Sequence, residues 1–174
     1  MFAFFSLVGL VVVRFERLQI RETAGVVVVH DGDTLSQAGE RIRLAGIDAF
    51  EYDQTCSRGS RAYACGREAT AALRALVKRG VVSCRGRTRD RYDRLLAVCE
   101  AGGTELNEAL VNAGWAVAYG DYEEVEAAAR RDGRGAWAGE FERPSDWRAR
   151  KDGAVEYPHE LWRWLVDLLR QLLR

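Results

Sequence analysis

Residues 26–51 read VVVVHDGDTLSQAGERIRLAGIDAFE. An apolar run enters His30-Asp31-Gly32-Asp33, then Ile42 and Leu44 alternate with Arg41 and Arg43, and a short apolar stretch carries Asp48 and Glu51. The unbroken run reads as a strand that ends in a turn, and the alternation predicts a half-buried strand with one charged face. Acid beside glycine is ordinarily turn chemistry, since Asp bonds its own backbone and tolerates left-handed geometry. If the strands are neighbours, Asp33 and Asp48 instead lie at adjoining strand ends and are placed to share a cation. Such hard oxygen ligands suit Ca²⁺ or Mg²⁺ rather than zinc. Glu51 follows three residues after Asp48, within reach of a water beside that metal, and Arg43 with Arg94 would clamp a phosphate and offset the charge that develops on it.

Outward from this stretch, CSRGSRAYAC (56–65) is a polar loop, and GREATAALRALVKRG (66–80) places Ala69, Leu73, Leu76 and Val77 at helical spacing before the stop at Gly80. VVSCRGRTRDRYDRLLAVCEAGG (81–103) is a hairpin in which Arg85, Arg87, Arg89 and Arg91 fall at every second position. Where that segment stays extended they share one face, either a protected edge or, with Arg94, a phosphate-binding groove. Thr104 is placed to cap a helix through Leu106 and Leu110, and Asp121 to cap a second, acid-rich helix ending at Arg130 and Arg131. Strands first, helices interposed and appended, and no βαβ alternation make this an α+β chain, most simply a small barrel with helices at its ends.

A length of 174 residues, 48% hydrophobic and 30% charged, supports one full core with extensions. Lys plus Arg (26) balances Asp plus Glu (26), so any polyanion site is a local patch rather than a global field. Neither cysteine pair has CxxC spacing, and the two histidines, His30 and His159, lie far from them in sequence, which argues against zinc. Disulfides Cys56–Cys65 and Cys84–Cys99 are the expectation over buried thiols, and they imply an oxidising compartment.

The ends divide the chain into a hydrophobic segment (1–20), a central domain (21–143) and a C-terminal extension (144–174). Phe2 to Val13 has the length of a signal-peptide core and is short for a membrane span of about 20 residues. It lacks a preceding positive charge and an A-x-A-like cleavage site, so an uncleaved anchor flanked by Arg14 and Arg17, or an extra core element, stands beside it. RPSDWRARKDGAVEYP (143–158) reads as an irregular strap. HELWRWLVDLLRQLLR (159–174) reads as an amphipathic helix that packs on the domain, lies in a membrane interface or pairs with another chain. Export to a periplasmic or extracellular space, with possible membrane anchorage, is the expected localisation.

DGDTL, RIRLAGIDAFE, GREAT, DRYDRLLAVC and ELNEALVNAGWAVAY, in that order over residues 25–140, resemble the staphylococcal-nuclease-like (thermonuclease) family. The resemblance implies a five-stranded OB-fold barrel with packed helices and a Ca²⁺-dependent nuclease acting on DNA and RNA. Matched by position, Asp33 and Asp48 are similar to the calcium carboxylates, Glu51 to the general base, and Arg43 and Arg94 to the catalytic arginines. Tyr92 and Tyr119 fall where the family contacts the nucleotide, with Arg91 beside them. The resemblance would give 3′-phosphorylated products. Two positions depart from it. Phe50 stands where a proline commonly fixes the turn before the glutamate, and Asp93 stands where a glycine is usual, bringing an acid beside Arg94 that would compete with phosphate. An OB-fold module that binds nucleic acid or protein without turnover is the main alternative, and a purely structural disulfide domain is a third.

Overall fold

The computed structural model describes residues 20–152. Its largest unit is one curled sheet built from β1 (Arg21–Gly25), β2 (Val27–Val29), β3 (Thr34–Gln37), β4 (Glu40–Leu44), β8 (Val82–Arg89), β9 (Leu95–Ala101) and the short β10 (Thr104–Glu105). The strand path is β1-β8-β9-β4-β3-β2, with β10 added on β9. β4 and β9 run parallel, pairing Ile42 with Leu95 and Leu44 with Ala97, while the other pairings are antiparallel. β1 and β2 are separated only by Val26 yet stand at opposite ends of the path. The sheet therefore curls until both ends rest on one stretch of chain.

Alternation fixes which face turns inward. Leu35, Ile42, Leu44, Val82, Cys84, Leu95, Ala97 and Cys99 are buried, whereas Arg41, Arg85 and Arg87 point out. The β3–β4 hairpin turns at Ala38 and Gly39, both at positive φ (49° and 84°), as a tight hairpin requires. The interior is closed by α1 (Cys65–Leu76), extended by a 3₁₀ turn at Val77–Arg79, and by α2 (Leu106–Asn112). These bury Ala69 and Leu73, and Leu106 and Leu110. Asn107 of α2 is fully buried and satisfied: it donates to the Ala45 and Ala97 carbonyls (2.8 and 3.2 Å) and accepts from the Cys99 N–H (3.1 Å). It thereby ties the turn after β4 to the sheet.

β5 (Ile47–Ala49) pairs with β11 (Ala116–Ala118), and β6 (Cys56–Arg58) with β7 (Arg61–Tyr63). Both expected disulfides are present, Cys56–Cys65 anchoring the polar loop to the start of α1 and Cys84–Cys99 crossing the β8–β9 pair. α3 (Glu123–Arg131), a 3₁₀ turn at Gly135–Ala138 and α4 (Pro144–Asp152) follow.

Several local expectations are corrected. Thr104 lies in β10 and Glu105 occupies the N-cap of α2, because the chain pairs with β9 before it turns into the helix. Tyr122, not Asp121, precedes α3, with no side-chain cap. The segment after Arg143 begins a helix, with Pro144 in the first position, where a missing N–H costs nothing. The arginine stripe is interrupted by an irregularity between Gly86 and Thr88, and Arg89 is taken by Glu40 (2.7 and 3.0 Å) while Arg91 lies in the turn. No helix among the described residues is long and apolar enough to cross a membrane. The hydrophobic segment 1–19 and the helix expected over 159–174 lie outside the described residues.

Candidate active site

Asp33 ends the loop that leads into β3, and Asp48 sits in the middle of β5. Gly32 is required in that loop: a Cβ there would meet the Ala49 and Ala69 Cβ atoms at 2.7 and 3.0 Å, so only glycine lets the loop pack between β5 and α1. Asp33 then accepts the Ala49 N–H (3.1 Å) and the Thr34 hydroxyl (3.0 Å), which fixes its carboxylate against β5.

Arg43 stands opposite Thr34 in the β3–β4 register and reaches across to both acids. Its Nη2 lies 3.0 Å from Asp33 Oδ2 and 2.7 Å from Asp48 Oδ1, and Nη1 donates to Asp33 Oδ1 (3.1 Å). Two carboxylates, one from the loop before β3 and one from β5, are thus focused on one positively charged nitrogen. Burial pushes the Asp33 carboxyl up to about 7; Asp31 and Asp48 add to the rise, while Arg43 and the Ala49 N–H oppose it. For Arg43, burial works against the charge, but Asp33 and Asp48 outweigh it and hold the guanidinium firmly protonated. Tyr119 lies beside Arg43: burial raises its phenol, and the guanidinium works to lower it.

The donor set fits a hard divalent cation. Two buried carboxylates share a cationic point, and burial, with Asp31 and Asp48 adding to it, makes the Asp33 charge costly without a cation beside it. Among the described residues no group of three or more His, Cys, Asp or Glu is placed to hold a metal ion. A cation held by Asp33 and Asp48 would therefore complete its shell with water, a backbone carbonyl or substrate oxygen, an open arrangement usual for a hard ion.

Glu51 leaves β5 in a turn closed by two reciprocal bonds, Gln54 N–H to the Glu51 carbonyl (2.7 Å) and Glu51 N–H to Gln54 Oε1 (3.1 Å). Gly66, in the first turn of α1, permits the close approach of that carbonyl, which a Cβ would meet at 1.6 Å. Phe50, just before it, is buried and packs edge-on against Phe141, with ring centroids 4.9 Å apart.

Arg94 follows the β8–β9 turn and reaches Thr34 Oγ1 with Nη1 (3.3 Å), which brings it to the edge of the Asp33 site. Its charge is met by Asp90, at 2.7 Å from Nε and 2.6 Å from Nη2. Asp93 adopts the left-handed conformation (φ 62°) and pairs with Arg89, so the acid competing for Arg94 is Asp90 and not Asp93. Burial works to raise Asp90, but hydrogen bonds from the Arg94 side chain and from the Arg94 and Tyr92 amides hold it below the usual range. The exposed Tyr92 ring lies under both Arg91 (4.8 Å) and Arg94 (5.3 Å), which leaves an aromatic platform flanked by cations.

The expected residues Asp33, Asp48, Arg43, Glu51 and Arg94 thus surround one corner of the sheet, with Tyr119 against Arg43 and Tyr92 with Arg91 at the hairpin turn. Arg148 was not anticipated. From α4 it donates to both oxygens of Asp48 (2.9 and 3.0 Å) and to Glu51 Oε1 (2.8 Å). Pro144 was a legible helix-start signal, but partners about a hundred positions away in sequence leave no local trace.

A family model described as staphylococcal nuclease homologue matches residues 41–139. The chain is 37% identical over 122 residues to a Rhizobium meliloti protein named succinoglycan biosynthesis protein ExoI, which covers 65% of this chain and 63% of that one. It is 32% identical over 160 residues to a Haemophilus influenzae protein named an uncharacterized endonuclease, with 85% of each chain covered. A family match over more than half of the chain, and a relative aligned over most of both lengths, place this protein in the staphylococcal nuclease homologue family.

Proposed function

We propose that the protein is a Ca²⁺-dependent nuclease that hydrolyses phosphodiester bonds of DNA or RNA and leaves 3′-phosphorylated products. The observation that carries this is the convergence of Asp33 and Asp48 on one cationic point with Glu51 tied to the same Asp48 through Arg148. Bound Ca²⁺, held by Asp33 and Asp48, would supply positive charge to polarise the phosphate. Glu51 orients water and accepts its proton. Arg43 and Arg94 bind the phosphate oxygens, exchanging carboxylate partners for substrate, and the Tyr92 face offers a base a stacking surface. The curled sheet whose ends share one strand supports an OB-fold, five-stranded barrel as its scaffold. Two disulfides support export to an oxidising compartment. The division into 1–20, 21–143 and 144–174 is kept, with α4 of the last segment contributing to the site.

A catalytically weak nucleic-acid-binding module is the second reading, favoured by the pairing of Arg94 with Asp90 and of both Arg43 and Arg148 with carboxylates. The deciding experiment is cleavage of single-stranded DNA by the full chain with Ca²⁺ or with excess chelator, beside Glu51→Gln. Calcium-dependent cutting that falls about 10²-fold or more in the variant supports the nuclease. Binding without cutting in either condition refutes it in favour of the module.

A further inference from the structure

Glu51 follows Phe50, with no proline ring to fix the turn, yet its surroundings are tightly specified. Phe50 packs on Phe141, which in turn meets Trp137 (4.7 Å). Gln54, fully buried, donates Nε2 to the Glu142 carbonyl (2.7 Å) while its own amide and side-chain oxygen close the Glu51 turn. Lys151 pairs with Asp53. Arg148 completes the set by bridging Asp48 and Glu51 with one guanidinium. Apart from the two Gln54 bonds that close the turn, these restraints come from residues 137–151, almost wholly beyond the stretch matched by the family model.

Resting on the nuclease reading above, the geometry points to Arg148 as a positioning residue that holds the Glu51 carboxylate beside Asp48, with the 140–151 strap replacing the rigidity that a proline at position 50 would supply. Burial opposes the Arg148 charge, but hydrogen bonds and charge from Asp48 and Glu51 hold the guanidinium protonated. Its planar fork spans two carboxylates at once, which a lysine cannot reproduce in full. Both terminal nitrogens are committed to Asp48 or Glu51, so its action on the reaction runs through those acids and not through the phosphate. A glutamate allowed to wander by about 1 Å loses on the order of 10²-fold in rate.

The test is a cycle in the full-length protein. Arg148→Ala should lower kcat about 10- to 100-fold with KM for a single-stranded oligonucleotide changed less than about 3-fold, and Arg148→Lys should recover part of the loss. In a Glu51→Gln background, Arg148→Ala should change kcat less than about 2-fold, because the group it positions is already gone. Hydrogen exchange of the peptide spanning 50–54, measured without Ca²⁺, should accelerate in Arg148→Ala and return towards wild type in Arg148→Lys. Equal losses in both backgrounds would overturn the proposal, since Arg148 would then act independently of Glu51. Faster cleavage with tighter Ca²⁺ binding in Arg148→Ala would overturn it too, by showing a plug on Asp48. A wild type that never cleaves, with exchange that still responds to Arg148, would sink the nuclease reading and leave the positioning contact standing; unchanged exchange in an active enzyme would sink the contact alone.

Discussion

Phe50→Ala separates the packing of the Glu51 turn from its chemistry. The Phe50 side chain is 1% exposed and meets Phe141 at an interplanar angle of 87°. Truncating a buried phenylalanine costs about 3–5 kcal/mol, made of lost transfer energy and the residual cavity, and an edge-to-face pair adds about 0.5–1.5 kcal/mol of specific coupling. Against a typical domain stability of about 5–15 kcal/mol this is a large share. With a urea slope of about 2 kcal/mol per molar, the midpoint should fall by about 2 M, followed through the fluorescence of Trp137 and Trp147. Phe141→Ala, and the double variant, complete a cycle whose interaction energy should be about 1 kcal/mol. Phe50→Pro removes the same ring and should also destabilise. A loss below about 1 kcal/mol for Phe50→Ala, or full additivity with Phe141→Ala, would refute the claim that this ring pair anchors the strap to β5.

Removing the cross-strand bridge with Cys84→Ala and Cys99→Ala, which opens a separation of 15 residues, should cost about 3 kcal/mol in the same urea assay. The hydrogen bond and charge of Arg89 hold the Glu40 carboxyl below its usual range, so the unfolded chain binds the extra proton; that contribution is present above the unfolded value of about 4.3 and is lost as pH falls through the depressed folded one. Arg89→Ala should therefore flatten the acid limb of the stability curve by a few tenths of a kcal/mol, measured by thermal melts from pH 6 to 3. Asp90→Asn keeps an acceptor for the Tyr92 and Arg94 amides but removes the charge that occupies Arg94, so KM for DNA should fall several-fold; an increase would show that Asp90 aims Arg94 and does not compete with phosphate.

Most of the central sheet was legible because a two-residue period is written into the chain. Ile42 and Leu44 bury while Arg41 and Arg43 do not bury as they do, and Cys84 faces Cys99 across the hairpin as their apolar runs implied. The two aspartates and Glu51 stood out only together with Arg43, Arg94 and the order of the motifs, since acid beside glycine is by itself ordinary turn chemistry. Helix starts were less so, since pairing of Thr104 with Ala101 overrides its capping tendency. The partner of Arg94 was misread because adjacency in sequence favoured Asp93, whereas the hairpin turns Asp93 towards Arg89 and folds Asp90 back. Arg148 was invisible for a different reason: its partners are set by tertiary packing of α4 and not by any local pattern.

Three arginines at the site are each satisfied by acid before any substrate arrives: Arg43 by Asp33 and Asp48, Arg94 by Asp90, and Arg148 by Asp48 and Glu51. A chain of balanced charge offers no long-range field to gather a polyanion, so association depends on exchanging the internal partners of Arg43 and Arg94, while Arg148 stays on Asp48 and Glu51. Two freely hydrated arginines neutralising two phosphates of a single strand would give a slope of log K against log salt of about −1.4. Here each arginine taken by phosphate uncovers a carboxylate that recruits cations, so the net release of counterions is smaller and the slope should be shallower than that, measured with Glu51→Gln protein and an uncleaved oligonucleotide over varied NaCl. The uncovered Asp33 and Asp48 are the proposed calcium ligands, and oligonucleotide affinity should for the same reason rise with Ca²⁺ concentration. A slope of about −1.4 or steeper, with affinity indifferent to Ca²⁺, would mean that nucleic acid is held by exposed cations such as Arg85 and Arg87 and that Arg43 and Arg94 take no part in binding.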